Sequence, residues 1–130
     1  MNKGSFVALA IAAAVMLAGG SASAAGDAAK GAKVFNKCKA CHSSDKGGKH
    51  KVGPNLFGIY GRKAGTAEGF NRYKGLQGAD WTWDDALLKE YLHDPKAFTH
   101  KRTGKNSVMT FKLTKDDEIA DVIAYLKTMK

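Results

Sequence analysis

The run Cys38-Lys39-Ala40-Cys41-His42 holds both cysteines of the chain and one of its four histidines. Two thiols three positions apart, followed at once by an imidazole, suit attachment of a c-type haem. Each sulfur closes a thioether bond to one vinyl group, and the histidine ligates the iron from one face. The same residues admit two other readings. Two close thiols also make a redox dithiol, and a cysteine pair is half of a zinc site. A Cys38–Cys41 disulfide would close too short a loop to staple a domain.

Which reading holds depends on the elements around the motif. Asp27 to about Cys38 reads as a short helix, with Gly31, Ala32, Phe35 and Cys38 near helical spacing and Lys30, Lys33 and Lys37 outside that stripe. Asp27 is its N-cap or first-turn acid. Gly31 costs about 1 kcal/mol relative to Ala inside a helix, which suggests close packing of another backbone there. From Ser43 to Gly78 the chain is punctuated by glycine and reads mostly as loop. Val52, Leu56, Phe57, Ile59, Tyr60, Phe70 and Tyr73 are scattered through it. Apolar residues on such a backbone suggest wrapping around something that is not protein.

A second helix is expected from about Trp83 to His93, capped by Thr82 or Asp80 and ended by Pro95. Ala97 to Leu113 reads as irregular and basic. Thr114 is expected to cap the last helix, with Asp116, Asp117 and Glu118 in its first turn. Ile119, Val122, Ile123 and Leu126 repeat there at i, i+3, i+4 and i+7. This helix is expected to pack across the first, with Phe35 and Gly31 meeting Val122 and Tyr125.

A thioredoxin-like dithiol needs a pair that opens a helix after a buried strand, whereas this pair follows a helix and precedes loops. Zinc needs further ligands at finger-like spacing, and His50, His93 and His100 offer none. Haem carries the remaining weight. The sixth iron position then has one natural thioether. Met1 and Met16 lie in the N-terminal stretch expected to leave as a signal peptide, and Met129 sits on or just beyond the end of the last helix, where it cannot easily turn inward. Met109, in an irregular stretch, remains; a methionine filling a core gap is its alternative role. A soft thioether favours Fe(II) and raises the potential. With both axial positions filled, the chemistry is one-electron transfer. The rival reading is a haem-based ligand binder or peroxidase-like enzyme with a displaceable sixth ligand.

Lys3, the apolar run from Phe6 to Ala18 and the small residues Ala22-Ser23-Ala24 have the layout of a secretory signal peptide. The run is shorter than the about 20 apolar residues of a membrane span. Cleavage is expected after Ala24 or Ala25, leaving residues 26–130 as one domain. The chain carries a formal charge of +9, and only one of its 21 Lys+Arg lies before Gly26. Such a balance points to an acidic partner surface.

At this point the residues resemble class I c-type cytochromes, most closely the bacterial cytochromes c2. The resemblance rests on Gly26-Asp27-Ala28-Ala29-Lys30-Gly31, Phe35-Asn36-Lys37-Cys38, Lys46 to Leu56, Gly61-Arg62-Lys63-Ala64-Gly65, Trp83, Tyr91-Leu92 with Asp94-Pro95, and Asp121 to Leu126. It implies an all-α fold in which N- and C-terminal helices cross and loops wrap one haem, covalently attached through Cys38 and Cys41. It implies His42 and Met109 as iron ligands. Pro54 would offer its carbonyl to the free nitrogen of His42, and Tyr91 would hydrogen-bond near the Met109 sulfur. Trp83 and Arg62 would hold a propionate, and Phe111 would cover the exposed haem edge.

The sequence departs from the pattern at Ser107, where threonine is usual, and at Arg72, where a propionate-binding tyrosine often sits; Tyr73 follows one place later. The resemblance further implies a soluble, monomeric periplasmic electron carrier and not an enzyme. It would serve membrane complexes such as a quinol-oxidising complex and a photosynthetic reaction centre or terminal oxidase, in photosynthesis or respiration. Lys37, Lys39, Lys51, Lys96, Lys105 and Lys112 would steer it to acidic docking surfaces. Neither nucleic acid nor stable membrane insertion after cleavage is expected.

Overall fold

The computed structural model describes residues 25–130, so the signal peptide expected over residues 1–25 lies outside them but for its last residue. Among the described residues there are four helices: α1 (Ala28–Phe35), α2 (Asp85–His93), α3 (Pro95–Thr103) and α4 (Asp116–Thr128). Their only β feature is one isolated bridge between Lys63 and Thr82. No described helix is long and apolar enough to cross a membrane.

Helices α1 and α4 cross in direct backbone contact. A methyl group on Gly31 would overlap the Asp121 carbonyl oxygen and lie 2.8 Å from Tyr125 Cβ. Phe35 then meets the Tyr125 ring at 5.3 Å between centroids. The expected crossing is therefore present, with Asp121 supplying the backbone that faces Gly31. Asp27 caps α1 by accepting from the amides of Ala29 and Lys30, and its own amide donates to Asp121 Oδ1 at 2.8 Å. Phe35, Ile119, Val122 and Leu126 are among the most buried side chains of the core.

Several local expectations need correction. Helix α1 ends at Phe35 rather than near Cys38, and the chain continues in turns. Asp84, not Thr82 or Asp80, caps α2, its carboxylate accepting from Leu87 N–H at 2.9 Å. The stretch after Pro95 is not irregular. Proline cannot continue a helix but suits its first turn, so Pro95 ends α2 and also opens α3, with Asp94 capping Ala97 N–H at 3.0 Å. Helix α4 starts after Lys115, without a side-chain cap, so Thr114 does not cap it. Met129 turns inward: it is 6% exposed and belongs to the core. Its carbonyl accepts from Gly58 N–H at 2.8 Å, which ties the C-terminus to the long loop.

Between α1 and α2 the chain has no helix, as its glycines suggested. The loop is held by buried polar contacts instead. Asn55, 9% exposed, donates to Ser43 Oγ and the Asp45 carbonyl and accepts from Phe57 N–H. His50 bridges two loop segments, Nδ1 accepting from Asn55 N–H at 3.0 Å and Nε2 facing the Glu68 carbonyl at 2.7 Å.

Candidate functional site

The turns after α1 bring the cysteine motif to the wall of a cavity. Cys38 N–H donates to the Phe35 carbonyl, and both Cys41 and His42 N–H donate back to the Cys38 carbonyl, at 3.1 and 2.9 Å. The side chains of Cys38, Cys41 and His42 are thereby placed on one compact turn. The cavity has a volume of about 450 Å³ and lies between this turn, the long loop and the 107–111 segment. Cys38, Cys41, His42, Pro54, Trp83, Tyr91, Met109 and Phe111 all line it, with Phe35, Leu56, Ile59, Leu88, Leu92 and Leu126 among its apolar walls.

His42 is fixed from two sides. Its Nδ1 lies 2.7 Å from the Pro54 carbonyl oxygen. That oxygen can only accept, so Nδ1 carries the proton and the Nε2 lone pair remains available. Burial lowers the pKa of the ring, which keeps it neutral, as a metal ligand must be. Gly53 gives the imidazole its seat: a methyl group there would overlap Cε1 and stand 2.7 Å from Nδ1. A bulky apolar cavity with two thiols and a neutral, oriented imidazole on one wall fits a haem. Burial also pushes the free Cys38 thiol up to about 11, with the Cys41 thiol adding to the shift.

On the opposite segment, Tyr91 O–H donates to Met109 Sδ at 3.5 Å, and Ser107 Oγ–H donates to the Met109 carbonyl at 2.8 Å. Burial drives the Tyr91 phenol up to about 12, so it stays a donor through the physiological range. Tyr91 packs on Trp83 at 5.0 Å, and Trp83 stacks on Phe98 at 5.9 Å. Phe98 is a core residue of α3, an element that the sequence did not suggest.

Arg62 differs from the other expected residues because it is not among those lining the cavity. Its guanidinium is half-buried and makes only long contacts, 3.4 Å, to the carbonyls of Phe57 and Asn55. Burial lowers its pKa, partly offset by the nearby Tyr73. Arg72 and Tyr73 both line the wall. The exposed Arg72 stands over the Phe70 ring and bonds to the Lys51 carbonyl, whereas the Tyr73 hydroxyl turns to Ala67 N–H at 3.1 Å.

Three large apolar side chains at the cavity remain exposed: Val52, Val108 and Phe111. Of the basic residues, Lys37 pairs with Glu118 and Lys112 with Asp94, each at 2.9 Å. Lys51 reaches the Lys39 carbonyl and Lys105 the Gln77 carbonyl. His93 and His100 are exposed on α2 and α3 and do not line the cavity.

The family model for cytochrome c matches residues 28–130. The chain is 50% identical to cytochrome c2 of Rhodospirillum rubrum, with both chains covered in full. It is 53% identical to cytochrome c-550 of Novispirillum itersonii, covering 81% of this chain and 100% of that one. The solved structure of cytochrome c2 from Rhodospirillum centenum superposes with a TM-score of 0.75 at 40% identity, over 80% of this chain and 98% of that chain. With the cysteine pair, the haem-sized cavity and the crossed terminal helices in one framework, the chain belongs to the cytochrome c family, an electron carrier rather than an enzyme, with one haem c joined through Cys38 and Cys41.

Proposed function

We propose that this chain is a soluble periplasmic one-electron carrier whose iron is ligated by His42 and Met109. The observation that carries the reading is that a neutral imidazole with a free Nε2 and a thioether sulfur line the same largely apolar cavity. The haem supplies a one-electron Fe(III)/Fe(II) couple. The protein's part is to hold both axial donors, exclude water and set the potential. The Pro54 carbonyl orients His42, and Tyr91 donates to the Met109 sulfur. Trp83, which lines the cavity, and Arg62, which does not, serve a propionate. The long contacts of Arg62 leave most of its five donors uncommitted.

Residues 1–25 act as a secretory signal, and residues 26–130 work as a single, monomeric domain. Exposed Phe111 covers the haem edge, and Val52 and Val108 join it at the surface that meets acidic faces of membrane electron-transfer complexes. The surrounding lysines steer that encounter. Two measurements test the reading. The ferric protein is expected to show the weak long-wavelength sulfur-to-iron band, and Met109→Ala to abolish it. Electron transfer to an acidic membrane complex is expected to slow steeply between low and high salt. A band that survives in Met109→Ala, or rates flat with salt, would reject the ligand assignment or the steering respectively.

A further inference from the structure

The segment that delivers Met109 has no regular structure between the end of α3 and the methionine. Besides the Tyr91 and Ser107 hydrogen bonds to Met109, it packs against a facing loop, residues 73–78. Gly75 is buried there and lines the cavity. A methyl group at Gly75 would lie 2.6 Å from the Asn106 carbonyl oxygen and 2.6 Å from Thr99 Cγ2. Gly75 is not among the glycines of positive φ, so what it supplies is clearance rather than a special turn. The loop has little room to retreat, because its next residue, Leu76, presents its carbonyl directly against Gly65. A second tie crosses the same seam: Lys105 Nζ donates to the Gln77 carbonyl at 3.1 Å.

We propose that Gly75 is a positioning residue for Met109, with the Lys105–Gln77 bond as its second tie. The clearance at Gly75 lets residues 104–108 seat closely on loop 73–78, and this seating sets how firmly the thioether is held in the cavity. The inference rests on Met109 as the axial ligand. An external sixth ligand competes with that sulfur, so its apparent affinity scales with the fraction of molecules in which Met109 is detached. Pushing the two segments apart raises that fraction.

The test is an imidazole titration of the ferric haem-loaded protein, read beside the long-wavelength sulfur band. Gly75→Ala is expected to raise apparent imidazole affinity about tenfold or more and to weaken the band, as overpacking of a tight seam should. Lys105→Met is expected to raise it about threefold, the loss of one hydrogen bond. Gly31→Ala, at the α1–α4 crossing and not at this seam, is expected to lower thermal stability while leaving imidazole affinity unchanged. If Gly75→Ala destabilises the protein but keeps wild-type affinity and band, the residue only packs and the proposal is overturned. Should Gly75→Ala fail to take up haem, Lys105→Met decides, and wild-type affinity there overturns it. Met109→Ala separates the two readings: a band that survives it rejects the ligand assignment. A band lost there, with affinity unchanged in both seam variants, rejects the positioning role alone.

Discussion

His42 Nδ1 and the Pro54 carbonyl oxygen stand 2.7 Å apart, and Gly53, the residue before Pro54, sits directly against the imidazole ring. Gly53 is not among the positive-φ glycines, so the position needs space and not conformational freedom. Gly53→Ala must therefore displace either the ring or the loop. It is expected to lower the stability of the haem-loaded protein by about 1–3 kcal/mol, the range for overpacking. Gly47→Ala isolates the other effect: its methyl group meets nothing, while its φ of 72° costs about 1–2 kcal/mol for a non-glycine residue. Denaturant midpoints measure both, and the sulfur and haem bands should move only in Gly53→Ala.

Tyr91→Phe removes the one hydroxyl donated to Met109 Sδ. That hydrogen bond withdraws electron density from the sulfur and so favours Fe(II). Its loss is expected to lower the reduction potential by on the order of 30 mV, the equivalent of a modest hydrogen bond in a one-electron couple. Burial holds the phenol near 12, so the difference between the two proteins should stay level from acid to pH 10. A redox titration at several pH values reads both the offset and its flatness.

Gly31→Ala tests the helix crossing. The substitution gains about 1 kcal/mol of helix propensity, but its methyl group overlaps the Asp121 carbonyl of α4. Overpacking against backbone outweighs that gain, and a net loss of about 1–2 kcal/mol is expected. Thermal unfolding of the haem-loaded protein measures it; a more stable variant would show that the two helices separate at no cost.

Asp85 ties the start of α2 to the end of α4. Lys127 lies 2.7 Å from its carboxylate, and Lys127 first, then the Tyr60 hydroxyl, hold its pKa below the usual carboxylate range. A carboxylate depressed in the folded state stabilises it above the unfolded value, near 3.9, and loses that contribution as pH falls through the lower folded value. Because the pair is largely solvent-exposed, Asp85→Asn is expected to cost only about 0.5 kcal/mol at pH 7. The difference from wild type should shrink as pH falls below the unfolded value and through the lower folded one, as urea midpoints along a falling pH series would show.

The elements with strong local signals were legible in the chain alone. The cysteine-histidine motif, the apolar period of α4 and the costly Gly31 in α1 predicted the haem attachment, the regular helix and the close crossing. Their signals depend on residues within one or two turns of each other. Helix α3 was not legible, because its basic face and low apolar content hide a period carried only by Pro95, Phe98 and Thr99. Pro95 read as a stop, although proline ends one helix and begins another with equal ease.

Sequence by itself determined which atoms could hold a haem and singled out Met109 by removing its competitors. It misjudged why Met129 fails: that side chain does turn inward, but into the terminal-helix core rather than the cavity. The tertiary structure supplied the Pro54 O–His42 Nδ1 contact that the resemblance implied, and it alone decided that Arg62 is not among the residues lining the cavity and that Gly75 abuts Asn106. Each of these is a contact between loops distant in sequence. No periodicity encodes such contacts, because a loop's path is set by what it packs against and not by its own residues.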